Sequence, residues 1–246
     1  MTTGLVLAAT VALGSCVQWL TGMGFALVSV PVLVLLLGPA DGVVLANCAA
    51  GVICLVGLAG GRRHVRPAAM VPLCAAAACT VPAGTWLARR LPEPVLLAVM
   101  GALVTTAVIL VLCGTRVPAL RGRAGAVVAG AAGGFMNSAA GVGGPPVSLY
   151  AVNAGWTVRE FVPNAMFYGV LVNAFSIAFN GLPHLSTPLW TMSAAAMLAG
   201  SLIGRTLTGR IPEPRARLLV LLLALAGGVT TLGRGVWGMA VGSLHG

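Results

Sequence analysis

The sequence has 246 residues, of which 59% are apolar and 7% charged, and its formal net charge is +10. A soluble globular domain carries about 25% charged residues, so this composition excludes a water-exposed surface and predicts an integral membrane protein. All fourteen basic residues are arginine. Without lysine the chain has neither an ATP-binding P-loop nor a Schiff-base lysine. The arginines separate apolar runs, so we interpret them as topology signals and contacts to membrane lipid rather than a nucleic-acid surface.

Ten apolar runs follow one another along the chain. A helix needs about 20 residues to cross the hydrocarbon layer, and most of the runs are long enough. Irregular backbone at membrane depth is tolerated only inside protein or around a cavity, so the short second and seventh runs are where we expect a site. We predict one all-α transmembrane domain over residues 1–246, with runs at 3–20, 25–38, 43–60, 68–88, 95–113, 124–140, 145–153, 161–179, 189–208 and 216–233.

The two halves of the chain are related by an internal duplication. Four residues of the first half, Gly14, Gln18, Gly22 and Gly24, recur 119 positions later as Gly133, Asn137, Gly141 and Gly143. A second motif, which runs from Gly84 to a Pro-Glu-Pro corner at 92–94, recurs 120 positions later from Gly204. Two motifs at nearly one offset predict two repeats of about five runs each. Their bounds are about 1–117 and about 118–246.

The arginines also predict how the repeats are oriented. If every run crosses the membrane, ten loop arginines lie on one side and three on the other. If instead the first two runs of each half make one broken crossing, six of these arginines lie on one side and seven on the other. Cytoplasmic loops carry the excess of arginine, which favours an odd number of crossings per half and therefore inverted repeats. Both termini then face away from the cytoplasm. The three arginines of the minority side are Arg89, Arg90 and Arg234.

The duplicated glycine motifs are the predicted substrate site. Inverted repeats place their substrate where the halves meet, often at broken helices or re-entrant turns. Pro145 and Pro146 favour a helix start after the second motif, and a helix N-terminus attracts anions with its unpaired N–H groups and partial positive charge. Amide and hydroxyl side chains nearby add donors. The candidate binding residues are Gln18, Thr21, Gly22, Gly24, Asn47, Asn137, Ser138, Gly141, Gly143, Gly144 and Asn164, with Tyr168 as a further hydroxyl.

Close helix packing is the alternative explanation of these glycines. Gly130 and Gly134, like Gly200 and Gly204, have the small-residue spacing that brings membrane helices together. The symmetric placement of the motifs beside Gln18 and Asn137 favours a site. A dinucleotide-binding loop is excluded because no strand–turn–helix unit surrounds the glycines.

The pattern Gln18-x-x-Thr-Gly-Met-Gly-Phe25, with Pro31 downstream, and its partner Gly141-Val-Gly-Gly-Pro-Pro146 resemble the two motifs of the sulfite exporter TauE/SafE family. Length and repeat architecture agree, so the resemblance covers essentially the whole chain. It implies a multi-pass protein of the cytoplasmic membrane that exports sulfite, related sulfur oxyanions or organosulfonates. Asn137 replaces Gln18 and Ala140 replaces Thr21 in the second motif, so the site is pseudo-symmetric.

The membrane potential is the predicted driving force. Ion coupling usually leaves an ionisable residue inside the membrane, yet the four acidic residues all lie beside predicted loops: Asp41, Glu93, Glu160 and Glu213. An inside-negative potential pushes anions outward. Export therefore needs no coupled ion and no cofactor.

Two other functions stay open at this point. A transporter of a metal cation or another small anion is the first, although cations prefer oxygen ligands that the runs lack. A non-transporting membrane subunit or an intramembrane enzyme is the second. Catalysis at depth needs a reactive constellation, and the six cysteines form no C-x-x-C pair and are expected to pack as small apolar groups. We assign no catalytic residue and no metal ligand. A monomer and a homo-oligomer both fit the sequence.

Overall fold

The computed structural model of the chain describes residues 2–61, 65–113, 121–208 and 213–242. Within these ranges the chain forms ten α-helices and no strand. The helices, in chain order, are α1 (Thr2–Thr21), α2 (Phe25–Leu37), α3 (Pro39–Gly61), α4 (Pro67–Arg90), α5 (Glu93–Leu112), α6 (Gly122–Ala140), α7 (Gly144–Asn153), α8 (Val158–Asn180), α9 (Thr187–Leu207) and α10 (Glu213–Gly242).

Each predicted apolar run coincides with one helix, and the bounds mostly agree within a few residues. The exception is α10, which has 30 residues and continues past the predicted end at 233. Six of the described helices, α1, α3, α4, α5, α8 and α10, are long and apolar enough to cross a membrane. The all-helical, multi-pass membrane fold is thereby confirmed. The predicted repeat boundary and four of the counted arginines lie outside the described residues: Arg62, Arg63, Arg116 and Arg210.

Short polar sequences define where the helices begin. Helix α8 starts with a capping box, in which Thr157 and Glu160 each satisfy a backbone N–H of the first turn. Proline occupies the first turn of α4, α5, α7 and α9, where its missing N–H costs nothing. Acidic residues begin α3, α5 and α8 as well, where they complement the helix dipole.

The first two helices of each half form a tight antiparallel hairpin. Gly14 of α1 lies directly under Phe25 and Ser29 of α2, and Ser29 Oγ donates a 3.2 Å hydrogen bond to the carbonyl of Thr10. In the second half, Gly133 of α6 lies against the carbonyl of Gly143 at the start of α7. The chain therefore turns back within three residues at each glycine motif.

Two helix pairs pack antiparallel, and each pair combines one helix of the first half with one helix of the second half. In the pair α3 and α8, Gly57 contacts Met166 while Gly51 contacts Asn173, so the contacts run in opposite directions along the chain. Helices α5 and α10 show the same pattern from Pro94 to Thr105 against Gly238 to Gly228. These two pairs connect the halves across the centre of the protein.

Two further pairs pack parallel through glycines that touch a neighbouring backbone. A Cβ at Gly130 would overlap the carbonyl oxygen of Leu73 in α4, and a Cβ at Gly200 would overlap that of Ala12 in α1. Gly134 and Gly204 make the equivalent approaches one turn later. The packing role expected of these four glycines is confirmed.

Polar contacts at the helix ends set the alignment of α4 with α8. The Arg66 guanidinium pairs with Glu160 where both helices begin, and Arg89 Nη2 donates a 2.8 Å hydrogen bond to the carbonyl of Phe179 where both end. Large apolar side chains such as Leu5, Val71 and Leu198 lie on the outer surface. That surface suits a hydrocarbon environment.

Candidate functional site

A cavity of about 50 Å³ lies where the two hairpin turns meet the middles of α3 and α8. Ala50 and Gly169 line it, and each is the twelfth of 23 residues in its helix. At 1.5 Å per residue, the cavity is therefore about 17 Å from either end of both helices. A water needs about 10–15 Å³ on this measure, so the cavity holds several water-sized groups.

Gln18, near the end of α1, caps the start of α2. Its amide oxygen accepts hydrogen bonds from the backbone N–H groups of Gly24, at 2.8 Å, and Phe25, at 2.9 Å. Its amide nitrogen donates to the carbonyl of Gly22 at 3.1 Å and to the Cys54 sulfur at 3.2 Å. Because the oxygen is held by two backbone donors, the orientation of this buried amide is fixed.

Asn137, near the end of α6, makes the corresponding contacts at α7. Its amide oxygen accepts a 3.2 Å hydrogen bond from the backbone N–H of Gly143. Its amide nitrogen lies within hydrogen-bond distance of three side-chain oxygens, those of Asn47 at 3.2 Å, Asn173 at 3.1 Å and Ser176 at 2.9 Å. Two N–H groups serve three acceptors, which ties α6 to α3 and α8.

The residues around the cavity correspond in pairs 119 positions apart. Gln18 reaches Cys54 over 36 residues, and Asn137 reaches Asn173 over the same separation. Each amide also caps a residue six positions ahead. The pairs of lining residues are Gln18 and Asn137, Met23 and Val142, Gly24 and Gly143, Ala50 and Gly169, and Cys54 and Asn173.

The two sides of the cavity differ in polarity. On the side of the first half, Met23 and Cys54 present sulfur. On the side of the second half, Asn173 presents an amide and Tyr168 a phenol. Apart from the paired amides Gln18 and Asn137, the amide and hydroxyl groups of the lining therefore lie on the α8 side.

The Tyr168 hydroxyl is a buried donor with no hydrogen-bond partner among the described residues. The side chain is 1% exposed and lines the cavity. A Cβ at Gly133 would overlap this hydroxyl, so the glycine creates the space that it occupies. An unpaired buried hydroxyl costs about 1–3 kcal/mol, which a bound acceptor would recover.

Two helix N-termini face the cavity, and none of the described residues that line it is charged. Ala26 and Leu27 belong to the first turn of α2, and Gly144 begins α7. A helix N-terminus carries about half a positive charge. The cavity is thus weakly electropositive without a basic side chain.

Five of the eleven predicted site residues line the cavity: Gln18, Gly24, Asn137, Gly143 and Gly144. Asn47 does not line it, but its amide oxygen accepts from Asn137, and its amide nitrogen has no partner among the described residues.

Gly22 and Gly141 form the turns that end α1 and α6. Their φ angles of 78° and 69° are left-handed, and each N–H bonds back to the carbonyl four residues earlier, that of Gln18 or of Asn137. Side chains other than glycine are strained in this region. These two glycines therefore shape the site without lining it.

Three predicted residues point elsewhere. The Thr21 hydroxyl donates to the carbonyl of Val17, and Ser138 bonds within α6 while it packs against Gly84 of α4. Asn164 lies near the start of α8, where its amide oxygen accepts from the N–H of Arg66. The backbone donors expected to be free also need correction, because the N–H groups of Gly24 and Gly143 are already bonded to the amides.

Sequence reasoning missed Cys54, Asn173 and Ser176. Cys54 was expected to pack as a small apolar group, but it lines the cavity and accepts from Gln18. The available signal was the repeat offset, because Cys54 and Asn173 are separated by the same 119 positions as the two amides.

The family of the chain follows from its match to one family sequence model. Neither the curated proteins nor the solved structures gave a match. A sequence model of the sulfite exporter TauE/SafE family matches residues 6–231. The match covers nearly the whole chain, including both glycine motifs and every helix that contributes to the cavity. The chain therefore belongs to the sulfite exporter TauE/SafE family of membrane transport proteins.

Proposed function

We propose that this protein exports small sulfur-containing anions, sulfite and organosulfonates, across the cytoplasmic membrane, and that the central cavity is its substrate site. The observation that carries the proposal is the convergence of two helix N-termini on a central cavity whose described lining has no acidic residue. Such termini bind oxyanions through backbone donors and the helix dipole. The family match supports the choice of sulfur oxyanions.

Two buried amides hold the binding surface in place. Gln18 and Asn137 fix the starts of α2 and α7, so the remaining N–H groups keep their direction. In α7 the remaining donor is that of Gly144, because Pro145 and Pro146 have no N–H. The Tyr168 hydroxyl adds a donor on the α8 side. The anion then lies nearer α8 than α3, off the pseudo-symmetry axis. The amide nitrogen of Asn47, next to Asn137, is a further donor close to the cavity.

The proposed transport mechanism is alternating access between two inverted repeats. Its structural support is the antiparallel packing of the corresponding helices α3 with α8 and α5 with α10. Inverted repeats place substrate near the bilayer midplane, and the central position of the cavity along α3 and α8 agrees with this. The turns of the two hairpins then meet at the midplane, and both termini face away from the cytoplasm.

The driving force in this proposal is the membrane potential. One elementary charge across 100 mV is worth about 2.3 kcal/mol, which favours anion exit from an inside-negative cell. Asp41, Glu93 and Glu160 lie in the first turns of their helices, about 14 Å along the axis from the cavity in the case of α3 and α8. No described acidic side chain is near enough to couple a proton at the site.

The alternative solute class is a metal cation or another small anion. A hard cation requires several carboxylate or carbonyl oxygens, whereas the described lining offers amides, a phenol, the sulfurs of Met23 and Cys54, and apolar groups. A non-transporting subunit or an enzyme is a weaker proposal, because neither accounts for the paired helix starts.

Sulfite flux into liposomes that contain the purified protein tests the proposal. An imposed potential drives flux in the wild type, and Gln18→Ala and Asn137→Ala are compared with Asn180→Ala. Asn180 is a matched amide that bonds to the Ser138 carbonyl outside the cavity. We expect potential-dependent flux that both site variants lose at least tenfold and the control retains.

Three outcomes would contradict parts of this assignment. Full flux in both site variants would move the site away from the cavity. Flux that stops when only the pH gradient is removed, with the potential held, would exclude uniport. A wild type that transports neither sulfite nor an organosulfonate would exclude the substrate class.

A further inference from the structure

The charge of the cavity limits the charge of its ligand. A helix N-terminus contributes at most about half a positive charge, because that charge resides in its unpaired N–H groups, and part of those groups is already bonded to Gln18 and Asn137. The starts of α2 and α7 together therefore offset at most about one negative charge. The described lining adds no arginine or histidine. A monoanion is matched, whereas a dianion leaves about one charge uncompensated.

Desolvation makes that difference large. The cost of transferring an ion from water into protein rises with the square of its charge, and for a single charge the effective penalty is already several kcal/mol. The cavity lies at the middle of α3 and α8, about 17 Å along the axis from either end of both helices. Without a basic partner, the second charge has no local compensation.

Two further features of the lining fit a ligand that has oxygen atoms and also an uncharged part, such as a proton-bearing oxygen or an organic group. Tyr168 lines the cavity, and its buried hydroxyl has no partner among the described residues, so this hydroxyl is available to donate to a ligand oxygen. Met23, Leu27 and Val172 form an apolar part of the wall. That part accommodates an uncharged substituent better than a fully charged anion.

We infer that the transported species is a monoanion: hydrogen sulfite rather than the sulfite dianion, and an organosulfonate of the same charge. This inference rests on the proposed function and specifies the protonation state of its substrate. It also gives the protein a simple selectivity against sulfate, which is larger by one oxygen and dianionic in water.

The test compares three probes in the same proteoliposomes at constant imposed potential. Sulfite, methanesulfonate and sulfate are offered at equal total concentration from mildly acid to mildly alkaline pH. Hydrogen sulfite loses its proton within this range, whereas methanesulfonate stays a monoanion and sulfate a dianion. We expect sulfite flux to fall with rising pH in proportion to the hydrogen sulfite fraction, methanesulfonate flux to stay level, and sulfate flux to be at least tenfold lower.

The Tyr168→Phe variant separates binding from pH effects on the protein. It should lower the flux of sulfite and methanesulfonate by similar factors and leave the shape of both pH profiles unchanged. Sulfite flux that rises with pH, or sulfate flux equal to that of methanesulfonate, would overturn the inference and leave an anion exporter. Absence of flux for all three probes would instead overturn the proposed function and the inference with it.

Discussion

The amide oxygen of Asn137 accepts a 3.2 Å hydrogen bond from the backbone N–H of Gly143, six residues further along the chain. Gln18 makes the same contact to Gly24 in the other half. A buried amide that spans its own hairpin turn fixes the direction of the following helix, because it satisfies one of the N–H groups that a helix start leaves unpaired. The pair of caps is thus the local reason that α2 and α7 begin at the cavity.

A carboxylate at position 18 should separate the structural role of this cap from its role in anion transport. In Gln18→Glu the carboxylate still accepts from Gly24 and Phe25, and these two donors favour its charged form. In Gln18→Met both hydrogen bonds are lost but no charge is added. In Gln18→Glu the second carboxylate oxygen lies against the Gly22 carbonyl, to which the amide nitrogen of Gln18 donates in the wild type. We therefore expect Gln18→Glu to unfold below the wild-type temperature but above that of Gln18→Met, and to lose sulfite flux at least tenfold.

Gln18→Met should be the less stable of the two variants but should transport more sulfite. It leaves two buried N–H groups unpaired, at a cost of about 1–3 kcal/mol each, so its thermal unfolding midpoint in detergent should drop clearly. Its flux per folded molecule should exceed that of the Glu variant. A Glu variant that transports sulfite as well as the wild type would remove the anion from the vicinity of Gln18.

Much of the fold could be predicted from the sequence, because apolar runs of membrane length and a repeat offset are both visible without a structure. The hairpin turns followed from Gly22 and Gly141, whose left-handed conformation few other residues adopt. The duplicated amides predicted the candidate site because each motif carries one amide side chain in an apolar run.

The remaining part of the site depends on long-range packing. A membrane helix is apolar on every side, so its sequence does not show which face meets the cavity. Asn164 and Tyr168 lie one turn apart in α8, yet Asn164 bonds to the Arg66 backbone near the helix start and Tyr168 lines the cavity. Only the placement of α8 against α3, α4 and α6 decides between them.

Removal of the Tyr168 hydroxyl should weaken transport without weakening the fold. In Tyr168→Phe no protein group loses a partner, because the hydroxyl has none among the described residues. A hydrogen bond to a charged ligand is worth about 1.5–3 kcal/mol, so the apparent affinity for sulfite should fall by about tenfold or more. Concentration-dependent flux measures the affinity, and thermal unfolding should be unchanged.

Tyr150→Phe is the matched control, since Tyr150 is also buried but packs edge-on against Trp156 outside the cavity. Its sulfite affinity should equal that of the wild type. Equal affinity in both variants would show that the Tyr168 hydroxyl does not contact the anion.

A methyl group at Gly130 should disturb the packing of α4 against α6 and destabilise the protein. A Cβ there would overlap the carbonyl oxygen of Leu73, and the rigid backbone of α4 cannot move aside locally. Overpacking of this kind costs about 1–3 kcal/mol. We expect Gly130→Ala to lower the thermal unfolding midpoint in detergent.

Gly233→Ala provides the control for this effect. Gly233 is also helical, but a Cβ there has open space around it. Alanine is favoured over glycine in a helix interior by about 0.5–1 kcal/mol, so this variant should be as stable as the wild type or slightly more stable. Equal destabilisation of both variants would mean that the close approach of α4 and α6 does not limit stability.

The inverted orientation of the halves should appear in the labelling of two corresponding corners. Ala40 lies at the start of α3 and Ala154 between α7 and α8, and both are exposed. In a background without the six native cysteines, a membrane-impermeant thiol reagent is applied to intact cells that carry either Ala40→Cys or Ala154→Cys. We expect outside labelling of Ala40→Cys only, and labelling of Ala154→Cys only after the membrane is opened. Parallel repeats would place both corners on one side, so identical labelling would refute the inverted topology, and with it the explanation of why the caps of Gln18 and Asn137 meet at one cavity.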